Sequence, residues 1–215
     1  MLDSLVAYQI NLASRSDRWT ECLQNQAARG FDLDDIRRAE ACLEGSFGAL
    51  GCARSHVKWL TRYLTETTSP FCMILEDDFD FRISKAEFAQ GLADVRDKVL
   101  GWDVLLLAGT VVVSTPTPVP HLNRVFEAQS ASGYIVRRAY VPTLLGCFLE
   151  AILGLERYRA FDPRRLILDR FSIDQAWKRL QRGDNWFIFT PGVGFQRPSF
   201  SDIEGKMVDY TRFSH

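Results

Sequence analysis

Apolar residues along this chain follow two alternating patterns: short continuous runs, and longer stretches in which they recur every three or four positions. The first pattern suits buried strands and the second suits amphipathic helices. Leu5 to Ile10 reads as an opening strand. Arg18 to Arg29 reads as a helix, with Ser16 placed to cap it, Trp19, Leu23 and Ala27 on its apolar face, and Gly30 to end it. Leu50, Ala53, Val57, Leu60 and Leu64 mark the buried stripe of a second helix. Phe71 to Leu75 predicts a central strand that runs straight into acidic residues. Ser84-Lys85-Ala86-Glu87 has the form of a capping box and predicts a third helix toward Val99. Further strands are predicted at Trp102–Ala108, Ser132–Val136 and Trp186–Phe189. A helix follows Val136 through Leu153, and another spans Ser172–Arg182 with Ile173, Ala176, Trp177 and Leu180 on one side. Thr115 to Pro120 carries three prolines, which lack N–H donors, and is predicted to be a surface loop. From 191 to 215 the pattern dissolves into a loop-rich tail whose aromatic residues predict that it folds back and covers a site. Strands alternating with helices predict an α/β fold: one domain over 1–215, with a largely parallel central sheet flanked by helices.

Composition narrows the field. Lys and Arg number 26 against 27 Asp and Glu, a net charge of −1, so no basic excess points to nucleic acid. Five cysteines without a CxxC pair read as reduced thiols of a cytosolic protein. The start of the chain does not read as a signal peptide. Its most apolar stretch, Val104 to Val113, is interrupted by Gly109 and Thr110 and falls short of the ~20 residues that span a bilayer. A cytoplasmic location is expected, with at most a peripheral association at the inner face of a membrane; oligomeric state is not legible.

Candidate chemistry gathers where strands end. In Ile74-Leu75-Glu76-Asp77-Asp78-Phe79-Asp80 a buried strand stops in carboxylates, at the strand end where open α/β sheets bind ligands. Alternation places Glu76, Asp78 and Asp80 on one face and Asp77 on the other. Such crowded anions become favourable around a hard divalent cation, although a solvated acidic loop has the same composition. Gly48-Ala49-Leu50-Gly51-Cys52-Ala53-Arg54-Ser55-His56 offers a glycine-containing helix start followed by polar groups. Ile10-Asn11-Leu12-Ala13-Ser14-Arg15-Ser16-Asp17-Arg18 carries the first strand into a polar turn with two arginines. Ser172-Ile173-Asp174-Gln175 places a carboxylate at a helix start, where the dipole favours its ionised form. Each segment also has a bland reading: helix capping or a solvated surface for the others, a structural histidine for His56. P-loop, HExxH, GxSxG and GxGxxG patterns are lacking.

Together these stretches resemble glycosyltransferase family 25, the lipooligosaccharide biosynthesis and collagen β-galactosyltransferase family. The resemblance runs in order through INLASRSDRW, GALGCARSH, MILEDDFDF, WDVLLLAG, SASGYIVRRAY, SIDQ and PGVGFQRPSFSDIEG. It implies a GT-A-type fold and inverting transfer of a hexose, galactose or glucose, from a UDP-sugar to a glycan acceptor. It also implies that Glu76-Asp77-Asp78 matches the family's metal-binding element for Mn²⁺ or Mg²⁺, with Glu76 and Asp78 as ligands and Asp80 in reserve. Asn11, Arg18, Ser55, His56 and Asp77 then become donor-site candidates. Asp174 is the candidate base that deprotonates the acceptor hydroxyl, with Asp202 next. Two other readings stay open: a catalytically silent sugar-nucleotide-binding or assembly protein, and a nucleotidyltransferase, for which Arg15-Ser16-Asp17-Arg18 is a poor activation loop.

Overall fold

A computed structural model describes residues 4–45, 47–158, 164–201 and 206–209. β1 (Leu5–Asn11) leads through α1 (Ser16–Ala28) to β2 (Arg37–Glu40), and α2 (Gly48–Glu66) leads to β3 (Phe71–Glu76). The chain turns sharply into β4 (Phe79–Phe81), then forms α3 (Lys85–Lys98), β5 (Val104–Leu106), β6 (Thr110–Pro116), β7 (Leu122–Gln129) and β8 (Gly133–Arg137). Helices α4 (Val141–Tyr158), α5 (Arg164–Phe171), α6 (Ile173–Ala176) and α7 (Lys178–Gly183) follow. β9 (Trp186–Phe189), β10 (Gly194–Gln196), β11 (Ser199–Ser201) and β12 (Lys206–Val208) complete the order.

Eight strands form one sheet in the order β2-β1-β3-β8-β5-β9-β7-β6. Six point the same way, while β7 and β8 run against them. The expected α/β fold with a largely parallel sheet and flanking helices is therefore what forms. Along β3, Cys72 and Ile74 enter the core shared with α2 and α4, whereas Met73 and Leu75 enter the one shared with α3. Strand alternation accordingly delivers Glu76 to the α2 side. Ile10 lies opposite Glu76 in the β1–β3 register, so Asn11 and Asp77 leave the sheet side by side.

Several local expectations need correction. Ser16 is the first residue of α1 rather than its cap, and Arg15 at the cap position makes no side-chain capping bond. The buried ridge of α1 is Arg18, Cys22 and Gln26, not Trp19, Leu23 and Ala27. The reason is polar packing: Gln26 bonds Gln9, Cys22 bonds Gln9 and the Asp77 carbonyl, and Arg18 bonds Asp77. Thr115 and Pro116 belong to β6, which pairs only with β7 among the described strands and so tolerates a missing donor. The helix expected over Ser172–Arg182 divides at Trp177 into α6 and α7. By contrast, the Ser84 capping box forms in full, and Gly30 closes α1 at φ +80°, a left-handed conformation suited to glycine.

Arg138–Arg157, which includes most of α4, is long and apolar enough to cross a membrane by length and composition. Its Leu144, Phe148, Ala151 and Leu155 are buried in the core with α2 and the sheet.

Candidate active site

The acidic turn after β3 separates its carboxylates into different environments. Glu76 Oε1 lies 3.2 Å from His56 Nε2 and accepts a 3.2 Å bond from the Cys52 thiol. His56 is fully buried, and its Nδ1 lies 2.9 Å from the Tyr134 hydroxyl. Burial pushes the Glu76 carboxyl up, but the His56 bond and charge, the Cys52 bond and the Arg18 charge outweigh it and leave it below its ordinary value.

Asp77 faces α1. Arg18 donates to its Oδ1 at 2.6 Å and Asn11 Nδ2 donates to Oδ2 at 2.7 Å. Asn11 in turn accepts from Arg38, whose guanidinium lies 5.2 Å from the Trp19 ring centroid. Asn11, Arg18 and Asp77 thus meet as a buried brace beneath the turn. Removing one member of a buried pair leaves the other charge without compensation. Arg18→Met is therefore expected to lower unfolding free energy by about 3 kcal/mol, measured by denaturant unfolding; a loss within error of zero would remove this brace from the account.

Asp78 is the least satisfied of the group. Its Oδ2 accepts from Gln196 at 3.0 Å, while Oδ1 is buried with no hydrogen-bond partner. Burial, followed by the negative charge of Glu76, pushes its carboxyl up to about 7. Asp80 instead pairs with Arg197 at 2.7 Å. Arg197 also donates to the Asp77 carbonyl from its side chain and to the Asp78 carbonyl from its backbone, at 2.9 and 2.6 Å. It therefore clamps the turn from the β10 side.

Asp174 opens α6 and accepts the Ser130 backbone N–H at 3.0 Å. Sequence reasoning expects a helix dipole to keep it ionised, yet α6 has only four residues. Burial dominates, and the carboxyl moves up despite the Ser130 bond. Ser130, at φ +79°, also donates its hydroxyl to Gln196 Oε1 at 3.2 Å, so Gln196 links the Asp174 loop to Asp78.

Ser55 lies next to His56 in sequence but faces elsewhere. Its hydroxyl donates to the Gly51 carbonyl and accepts the Cys42 N–H, at 2.6 and 2.7 Å, tying the preceding loop to α2. Asp202 lies outside the described residues. Gln196, Arg197, Tyr134, Cys52 and Ser130 join the site without having been assigned a role from sequence. The first two sit in the PGVGFQRPSF stretch, whose irregularity suggested only a covering loop.

Gly194 makes the β10 contact possible. A Cβ there would lie 2.2 Å from Phe79 and 2.8 Å from the Asp80 carbonyl. Gly194→Ala is expected to cost about 1–3 kcal/mol by overpacking and to displace Gln196 from Asp78. Thermal unfolding checks the first effect. Unchanged stability would mean that β10 and β4 can separate freely.

No family model matches the chain, and no curated protein matches it. Among solved structures, A197 from STIV is similar with a TM-score of 0.52 at 10% identity, covering 95% of this chain and 92% of that one. This likeness bears on the fold alone. A mannose-1-phosphate geranyltransferase from Thermus thermophilus aligns with a TM-score of 0.43 at 13% identity over 91% of this chain, which spans 60% of that protein's length. A glycosyltransferase involved in the glycosylation of the major capsid of PBCV-1 aligns at 0.43 and 6% identity, covering 87% of this chain and 93% of that one.

Proposed function

We propose that the chain is an inverting, metal-dependent glycosyltransferase of the GT-A type. In this reading it is related to glycosyltransferase family 25 and moves galactose or glucose from a UDP-sugar to a surface-glycan acceptor such as lipooligosaccharide. Its place would be the cytoplasmic face of a membrane, with peripheral association. The observation that carries the reading is Asp78. A buried carboxylate oxygen without a hydrogen-bond partner, beside Glu76 at a central strand's carboxyl end, fits a site for a hard divalent cation better than a solvated loop.

In this reading Glu76 and Asp78 hold Mn²⁺ or Mg²⁺. When bound, the cation neutralises charge gathering on the departing diphosphate. His56 and Cys52 orient Glu76 through Oε1. Asn11, Arg18 and Asp77 brace the acidic turn from the α1 side, and Gln196 and Arg197 brace it from the β10 side. Asp174 accepts the proton of the acceptor hydroxyl as that oxygen attacks the anomeric carbon. Its upward-shifted carboxyl suits a base working nearer neutral pH.

A panel of nucleotide sugars, with and without Mn²⁺, tests this. A cognate donor at a hundredfold excess over its Kd raises stability by about 2.7 kcal/mol, and it should be hydrolysed slowly in the presence of Mn²⁺. Binding without turnover, even with acceptor glycans present, selects the silent sugar-nucleotide-binding alternative. Failure of every UDP-sugar to bind removes the reading.

A further inference from the structure

Cys52 and His56 stand four residues apart on α2, so their side chains share one face of that helix. Glu76 meets this face from the end of β3. One carboxylate oxygen lies 3.2 Å from the thiol sulfur and 3.2 Å from His56 Nε2, and the three ligating atoms all fall within 4.8 Å of one another. In a tetrahedral zinc site, bond lengths of ~2.0–2.3 Å imply ligand separations of roughly 3.3–3.8 Å. Only small side-chain movements separate the observed cluster from that geometry.

We propose that Cys52, His56 and Glu76 form a binding site for a thiophilic divalent cation, Zn²⁺, with the fourth position left to water or an incoming anion; because Glu76 belongs to both, this ion competes with the hard cation of the proposed transferase site. The outer contacts fit this role. The Tyr134 hydroxyl beside Nδ1 fixes the imidazole ring and frees Nε2 for a metal, the usual arrangement around ligating histidines. The Glu76 side chain is partly exposed, giving an ion a way in, while His56 is fully buried. Sulfur and imidazole favour Zn²⁺ or Co²⁺ over Mn²⁺ and Mg²⁺, which prefer oxygen. Binding displaces the thiol proton now shared with Glu76, and any proton that His56 Nε2 holds toward the same carboxylate oxygen, and what is displaced passes to solvent.

Cobalt provides a probe that needs no sugar nucleotide, so its failure is distinct from failure of the glycosyltransferase reading. The reduced protein titrated with Co²⁺ should bind one equivalent and show a thiolate-to-cobalt charge-transfer band. Zn²⁺ should displace the cobalt, and excess Mn²⁺ should not. Cys52→Ser should abolish the band and weaken Zn²⁺ binding at least ~10-fold, whereas Cys42→Ser should preserve both. In unaltered protein, Zn²⁺ should slow alkylation of Cys52 at least ~10-fold, read by peptide mapping, which decides the matter even if Cys52→Ser does not fold. Absence of the band, its persistence in Cys52→Ser, or Cys52 labelling indifferent to Zn²⁺ would each overturn the site.

Discussion

Asp78→Asn is expected to lower metal-dependent turnover of a UDP-sugar at least ~100-fold while making the metal-free protein more stable at pH 8. The substitution keeps the shape and leaves an oxygen to accept the Gln196 bond. It removes a negative charge that burial and Glu76 make costly. The direction follows from linkage. The folded Asp78 carboxyl sits at about 7 against 3.8 when unperturbed, so its contribution is fully present below about pH 4 and is lost as pH rises toward 7. Glu76 has the opposite sign: held below its ordinary value, it contributes above pH 4.5 and loses that contribution as pH falls through its folded value. These two groups together favour mildly acidic conditions for the metal-free fold. Asp78→Asn should flatten the loss on the alkaline side, gaining on the order of 1–3 kcal/mol at pH 8. Unfolding in chelator at pH 5 and 8, paired with turnover in Mn²⁺, checks both halves. Undiminished turnover, or a variant less stable than the parent at pH 8, contradicts the assignment.

Asp174→Asn should lower turnover at least ~100-fold with donor affinity nearly unchanged, the pattern of a contact made only in the transition state. Asparagine can still accept the Ser130 N–H, so the loop keeps its bond while the site loses a proton acceptor. The parent's rate should also fall at acidic pH as Asp174 protonates, with the midpoint shifted up from an ordinary aspartate. Loss of donor binding would place Asp174 against the donor sugar instead. No change in either quantity would leave it a structural partner of Ser130.

Much of the frame was legible because its signals are local. The β3 run, the Ser84 box and the Gly30 stop depend on residues within a few positions of one another. The buried face of α1 was not legible, because Arg18, Cys22 and Gln26 are buried by partners at positions 9 and 77 rather than by apolar character. The β6–β7 hairpin was hidden by its prolines, which argue against a central strand but permit an edge. In the site, the acidic turn announced itself, whereas Gln196 and Arg197 approach Asp78 and Asp80 from more than a hundred residues away. Nothing in local spacing separates Asp78, with one buried oxygen left without a hydrogen-bond partner, from Asp80, which pairs with an arginine.

The two borders of the main sheet are poor templates for further strand pairing. β2 is four residues long and carries Arg37, Arg38 and Glu40, so an approaching strand meets charge. β6 exposes Val112 and Val113, which would otherwise favour association, but its register against β7 shifts twice there and it ends at Pro116. Irregular twist and a missing N–H donor are features that discourage edge-to-edge aggregation. Pro116, one of the prolines that obscured the hairpin in the sequence, thus makes this border a poorer partner for a further strand, and its replacement would restore a donor to the edge.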